Sequence, residues 1–481
     1  MTAAVKTSGK DAAALALHRF GFGAAGDQIA AIAGDPRGAL LADLDRPNAG
    51  VPTVDLPSSG QAARAVFDFR AEEQAKQKLA LRAVKESEAN GMSQNGASAM
   101  TDAGNTAAVP KPPNQPPPLP QQILFNEAKA RFDAAASANI GLVERLVWFW
   151  SNHFCVSADK IPAMAGAYER EAIRPHVLGR FADLLIAAES HPAMLFYLDN
   201  VESMGADSVG GINRDKGLNE NLARETLELH TLGVRSGYSQ EDVTSFAKVL
   251  TGWTWFPPAE LERGGEFVFS RRIHEPGDQT VLGKVYPDTG VEQGRAVLAD
   301  LAHHPATAQH IAQKLARHFV ADEPPPSLVT KLANTFTASD GNLKQVAKTL
   351  VTSDEAWMPQ RQKLKSPAEW VMGVLRLTGT EAAVPVPRIM NVQAVLGQPL
   401  WRPPAPNGYA DIEAAWIDGV GRRLDIANEL AGRVGTADPL ALLDSGLGPL
   451  ASADTRGTIA RAESRRQAVA LLVMAPEYLR R

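Results

Sequence analysis

The chain has 481 residues, 44% of them hydrophobic and 21% charged, a balance typical of a soluble globular protein with more than one packing unit. Its formal net charge is only −5, and no run of lysine or arginine stands out, which argues against a nucleic-acid-binding surface. No stretch reaches the ~18 consecutive apolar residues that a membrane-spanning helix needs.

The N-terminal sequence also bears on location. It has no basic segment followed by an adequate apolar run, so no signal peptide is predicted. Cys155 is the only cysteine, which excludes an internal disulfide and a metal site built from several thiolates. Both features favour the cytoplasm, and a periplasmic location is expected instead if a leader was removed.

The first two parts of the chain differ in composition. Residues 1–55 are predicted to form short helices. Residues 56–122 read as an insertion: a charged, alanine-rich helix over 61–87, then a segment rich in Gly, Ser, Asn and Pro. Because that composition buries too little apolar surface to offset the entropy of ordering, we predict that residues 88–120 are disordered and removable.

The third part, residues 123–300, begins with a helix that runs, with one break, to residue 154. His153 lies on the edge of its apolar face, beside Leu146 and Phe149. A histidine in such a place is most often a core residue with one hydrogen bond to a carbonyl. The alternative is a ligand or proton partner for a second polar group. Phe267-Val268-Phe269 is a candidate strand.

The helix predicted over residues 218–233 carries the clearest polar anomaly. On a helical wheel its leucines form one apolar stripe, and Glu225 falls in the middle of it. Asn221 and Glu228 sit on the edge of the stripe. A carboxylate on a buried face costs several kcal/mol unless it is paired, protonated or bound to a metal. The pattern therefore predicts a polar pocket at Glu225.

We predict that His153 and Glu225 meet in this pocket. The set proposed for catalysis is Glu225, His153 and Arg174. The set proposed for ligand binding is Asn221, Arg224 and Arg19. The cofactor is unknown from the sequence; a divalent metal is one candidate, with Glu225, Glu228 and His153 as its predicted ligands, and the same trio could serve as general base and orienting acid without a metal.

Structural alternatives stand beside these roles. Glu220, Arg224 and Glu228 follow one another at i, i+4 and would equally form a surface ladder. Arg174 or Arg19 would then be a purely structural partner of Glu225, and a His153–Glu225 hydrogen bond would merely satisfy two buried groups.

The last part, residues 301–481, is again predicted to be helical, and Ser366-Pro367-Ala368-Glu369 is its clearest helix start. The proline-rich stretch 398–409 is predicted to be a loop that covers a cleft or wraps a helix end. The predicted fold class is therefore mainly α: a multi-helix globular fold with long loops and at most minor β structure.

Several long motifs resemble the bacterial family called domain of unknown function 1800. Among the motifs that carry the resemblance are HRFGFGA at 18–24, FWSNHF at 149–154, HPAMLFYLDN at 191–200, LNENLARETLELHTLGV at 218–234, LARHFVADEPPPSLV at 315–329, KLKSPAEWV at 363–371 and LGQPLWRPPAPNGY at 396–409.

The resemblance implies a mainly helical protein and brings no settled activity or ligand. In some bacteria such genes adjoin members of domain of unknown function 1501, which resemble sulfatases. From the residues we expect an enzyme or ligand-binding protein with a polar pocket on the 218–233 helix. The alternative is a non-catalytic partner or assembly protein that works with the sulfatase-like neighbour.

Overall fold

Helices dominate the computed structural model, which describes residues 9–91, 116–212, 214 and 217–481. The helices of the first half are α1 Gly9–Arg19, α2 Gln28–Ile32, α3 Pro36–Asp45, α4 Ser59–Gly91, α5 Leu119–Ser137, α6 Leu142–His153, α7 Ala165–Tyr168, α8 Phe181–Ser190, α9 Pro192–Tyr197, α10 Asn221–Glu225 and α11 Gln240–Leu250. The helices of the second half are α12 Val291–His303, α13 Pro305–Phe319, α14 Pro326–Ala338, α15 Leu343–Thr352, α16 Pro367–Thr378, α17 Val386–Val395, α18 Val420–Ala431, α19 Pro439–Gly446, α20 Ala453–Ala460, α21 Arg465–Val473 and α22 Pro476–Leu479.

The β structure of the described residues is confined to two short antiparallel pairs. Strand β1, Trp253–Trp255, pairs with β2, Phe267–Phe269, and β3, Gln279–Val281, pairs with β4, Lys284–Tyr286. The mainly α prediction is therefore confirmed, as is the strand predicted at 267–269. None of the helices in the described part of the chain is long and apolar enough to cross a bilayer.

Helix α16 begins where the sequence predicts. The Ser366 hydroxyl accepts from the Glu369 backbone N–H, and the Glu369 carboxylate accepts from the Ser366 backbone N–H. Pro367 occupies the first helical position, where its missing N–H costs nothing. This start places Ser366, Ala368 and Glu369 at the wall of a cavity described below.

The insertion is described at its two ends. Helix α4 is longer than the predicted 61–87 helix and ends at Gly91, and α5 begins at Leu119. Most of the segment predicted to be disordered, residues 92–115, lies outside the described residues.

One cluster of buried apolar side chains extends from Ala13 to Leu479, so distant parts of the chain share a core. Buried arginines tie these parts together through backbone carbonyls. Arg19 donates to the carbonyls of Ala356 and Met358, each at 2.8 Å, and to that of Gln360 at 2.9 Å. The N-terminal helix is thereby fixed to the chain that leads into α16.

Candidate active site

A cavity of about 370 Å³ lies where four segments converge. Its walls come mainly from the end of α6, the C-terminal part of α13, the start of α16 and the loop 398–412 between α17 and α18. Four of the motifs that carry the family resemblance, at 149–154, 315–329, 363–371 and 396–409, contribute to these walls. The cavity is rich in aromatic rings, namely Trp148, Phe149, Trp401, Tyr409 and Trp416.

The proline-rich loop is held over the cavity by hydrogen bonds to the end of α6 and to the chain that follows it. The Ala158 N–H donates to the Trp401 carbonyl at 2.7 Å, and Asn152 exchanges hydrogen bonds of 2.8 and 3.0 Å with the backbone of Tyr409. Trp401 adopts a φ of 50°, an unfavourable conformation for a large side chain. Of the two predicted roles for this loop, the structure therefore shows the cover of a cleft.

Gly408 permits the close approach of this loop to α6. It has a φ of 76°, and a Cβ at this position would lie 2.4 Å from the Asn152 carbonyl oxygen. Any side chain there would push the loop away from the cavity.

His153 lines the cavity and has one ring nitrogen without a hydrogen-bond partner. Its Nε2–H donates to the His230 carbonyl at 3.1 Å, so the neutral ring carries its lone pair on Nδ1. Nδ1 has no hydrogen-bond partner, although the residue is only 1% exposed. Burial, followed by the nearby charge of Lys314, holds the pKa of His153 well below its ordinary value. The expected core hydrogen bond is thus present, and one proton acceptor remains available.

Lys314 and Arg317 supply positive charge to the same cavity from one side of α13. The described residues provide no ion-pair or hydrogen-bond partner for the Lys314 amine. Burial lowers the pKa of Lys314 to about 8, so the amine is partly neutral near that pH. Arg317 uses only its Nε–H, which donates to the Asp322 carbonyl at 3.0 Å. Two cationic groups therefore face the cavity without a carboxylate partner.

The carboxylates at the cavity wall, by contrast, are neutralised. The Arg145 guanidinium lies 2.6 Å from Glu369, and Arg481 lies 3.0 Å from it. Burial opposes ionisation, but these arginines lower the pKa of Glu369 to about 2. Asp411 is bound by His318 at 2.7 Å and by Lys363 at 3.0 Å. The unpaired charge of the cavity is consequently positive.

Cys155 also lines the cavity, but its thiol is not an activated nucleophile. The Sγ–H donates to the Pro406 carbonyl at 3.2 Å, and burial raises the pKa of the thiol to about 12. A thiolate is therefore scarce at neutral pH.

The predicted pocket on the 218–233 helix requires a correction. Only residues 221–225 are α-helical, and Thr226–His230 form a π-helix, in which each turn takes up more residues. The buried face therefore rotates toward Ala223, Thr226, Leu227 and His230, and Glu225 is half-buried instead of lying in the core. Burial still raises the pKa of Glu225 above its ordinary value. No residue of this helix lines the cavity.

His230 is the polar residue that this helix does bury. Its Nδ1 lies 2.6 Å from the Glu189 carboxylate, and both side chains are 1% exposed. Its backbone carbonyl accepts the hydrogen bond of His153, so the central helix orients the ring that lines the cavity.

Arg174, predicted to act in catalysis, does not line the cavity itself and belongs to a buried ion network whose Glu169 also pairs with the cavity residue Arg131. Its guanidinium meets Glu144 at 2.9 Å and Glu169 at 3.2 Å and donates to the Gly50 carbonyl at 2.7 Å. All of these contacts are structural.

The residues predicted to bind ligand also lie elsewhere. Arg224 pairs with Glu220 at 2.9 Å, as the surface-ladder alternative predicts. Asn221 does not line the cavity, and its backbone N–H donates to the Asn219 side chain at 2.9 Å. Arg19 is taken up by the three carbonyls described above. Of the predicted site residues, the structure brings only His153 to the cavity.

No group of three or more His, Cys, Asp or Glu side chains suited to a metal ion occurs among the described residues. Glu225, Glu228 and His153 are all described and do not form such a group. The prediction of these metal ligands relied on the same regular α-helical spacing as the predicted pocket. The π-helix over Thr226–His230 departs from that spacing.

Sequence reasoning missed Lys314 and Arg317, although a signal exists for the lysine. Ile311, Leu315 and Phe319 are buried on α13, and Lys314 follows Ile311 by three residues, toward the same side. A wheel drawn for this helix would have shown a lysine beside the apolar stripe.

Comparison with known proteins agrees with the motifs. Neither the curated proteins nor the solved structures provide a significant match to the chain. The family model described as "Protein of unknown function (DUF1800)" matches residues 15–480, which include every wall of the cavity. The chain therefore belongs to the DUF1800 family.

Proposed function

We propose that this protein binds a small organic anion with an apolar or aromatic portion, as a ligand-binding protein or an enzyme that acts on that molecule. The observation that carries the proposal is the pairing of two uncompensated cations, Lys314 and Arg317, with aromatic walls in one cavity of about 370 Å³. Ligand sites of this size are typically apolar, with a few convergent polar groups.

Unsatisfied polar atoms support this reading. Besides His153 Nδ1, two other buried nitrogens have no hydrogen-bond partner: Nε1 of Trp148 and Nε2 of Gln393. Both belong to residues that line the same cavity. Each buried polar group left unpaired costs about 1–3 kcal/mol. A bound polar molecule that paired them would recover part of that free energy.

We expect Arg317→Gln to weaken anion binding about 10- to 100-fold, because a hydrogen bond to a charged group contributes about 1.5–3 kcal/mol. The probe is phenyllactate, followed by quenching of tryptophan fluorescence and by calorimetry. The uncharged 2-phenylethanol should bind more weakly than phenyllactate and should lose little affinity in the variant.

Arg295→Gln is the matched control, because Arg295 is a surface residue that pairs with Glu292 on the same helix. It should bind phenyllactate as the unmodified protein does. Absence of phenyllactate binding, or equal losses in the two variants, would contradict the proposed anion site.

A further inference from the structure

We propose that Lys314 forms an imine with the carbonyl carbon of a 2-oxo acid whose carboxylate is held by Arg317. This inference rests on the proposed function and names the ligand class and the reaction of the same cavity. It is carried by the arrangement of three groups at its wall: an unpartnered amine, a guanidinium with free terminal nitrogens, and an imidazole with a free lone pair.

The amine is suited to nucleophilic attack. Lys314 lines the cavity without a carboxylate partner, and Asp411, whose charge acts on it, is itself bound by His318 and Lys363. A lysine that burial keeps partly neutral, with a pKa of about 8, provides the lone pair that carbonyl addition needs.

Arg317 defines the second functional group of the ligand. It follows Lys314 by three residues on α13, a spacing that places the two Cβ atoms roughly 5–6 Å apart. Its Nη1 and Nη2 have no partner among the described residues and can bind a carboxylate through two parallel hydrogen bonds. A carbonyl directly bonded to a carboxylate, as in a 2-oxo acid, matches two cations separated by one turn.

His153 can carry the proton that must move from the nitrogen to the departing hydroxyl group. When the neutral amine adds to the carbonyl carbon, a C–N bond forms, the C=O π bond breaks, and one of the two nitrogen protons moves to the carbonyl oxygen. The nitrogen then loses its remaining proton to His153 Nδ1, which returns it as the hydroxyl departs as water and the C=N bond forms. The products are one imine and one water, and no oxidant or reductant is consumed.

The aromatic walls indicate the remaining part of the ligand. Trp148, Trp401 and Trp416 surround a volume well above that of the 2-oxo acid group alone. Aromatic side chains stack favourably on one another in such sites. We therefore assign the cavity to 2-oxo acids with a bulky apolar or aromatic side chain.

Reductive trapping tests the inference on the full chain. Incubation with phenylpyruvate and cyanoborohydride near pH 8 should yield one covalent adduct with the mass of the reduced imine. Peptide mapping should locate it at Lys314 in the unmodified protein, so the result does not depend on the folding of a variant. Exposed Lys331, which pairs with Glu355, serves as the internal control and should be labelled far less.

The controls separate this inference from the proposed function. Phenyllactate has no carbonyl group; it should form no adduct and should suppress trapping of phenylpyruvate. Lys314→Met should abolish the adduct, and Arg317→Gln should raise the phenylpyruvate concentration needed for it. Binding of phenyllactate without an adduct at Lys314, or labelling of Lys331 at an equal rate, would overturn the imine and leave the anion site standing. Failure of phenyllactate to bind would overturn both.

Discussion

Arg174→Met is expected to lower the free energy of unfolding by about 3–5 kcal/mol, because it leaves the buried Glu144 carboxylate without its counter-ion and leaves Glu169 with Arg131 alone. Arg174 is 2% exposed, as is Glu169, and Glu144 is 7% exposed at its side chain. Methionine fills much of the same volume, so the loss reflects charge more than an empty space. Urea denaturation followed by circular dichroism measures the change.

Arg37→Met is the control for this prediction. Arg37 pairs with Asp354 at the surface, where the two side chains are 39% and 89% exposed, and such pairs contribute about 0–1 kcal/mol. Similar small effects in both variants would mean that the Arg174 network is solvated.

Acidification from pH 6.5 toward pH 4 is expected to destabilise the protein steeply. Burial keeps His18 and His153 neutral in the folded state and lowers the pKa of His318 to about 4. The unfolded chain protonates these rings near pH 6.5, so below that pH it binds more protons than the folded state does. Stability is therefore present above pH 6.5 and is lost as the pH falls, by up to about 1.4 kcal/mol per pH unit for each ring.

Two variants identify the histidines responsible for this pH dependence. His318→Asn keeps a donor toward Asp411 and should flatten the slope of unfolding free energy against pH between 6.5 and 4. His303 provides a contrast, because its hydrogen bonds to Ala299 and Asp340 raise its pKa. Its stabilising contribution is present at low pH and lost as the pH rises, so His303→Asn should steepen the acid loss. An unchanged slope in His318→Asn would contradict the neutral ring.

The sequence was most informative where structure depends on nearby residues. The Ser366–Glu369 capping box and the strand at 267–269 follow from short-range patterns, and both are present. The mainly α fold follows from helical periodicity along the chain. His153 was found because it lies on the edge of an apolar helix face.

The rest of the site depends on tertiary structure, which a helical wheel drawn for one helix does not describe. The π-helical turn after Glu225 changes the residue phase, so an apparently buried carboxylate became half-buried and His230 took the core position. Arg317 lines a cavity only because α13 lies against the loop 398–412. Those segments are far apart in the sequence, and their juxtaposition is fixed by the whole core.

The hydrogen bonds from Arg19 to the 356–360 segment can form only late in synthesis of the chain. Arg19 and its carbonyl partners are 337 to 341 residues apart in the sequence. At a synthesis rate of about 5–20 residues per second, the ribosome therefore adds the 356–360 segment roughly 20–70 s after Arg19. During that interval α1 has no native carbonyls for its arginine and no complete core for its apolar face. We therefore expect the nascent N-terminal segment to depend on chaperones until the chain leading into α16 has emerged.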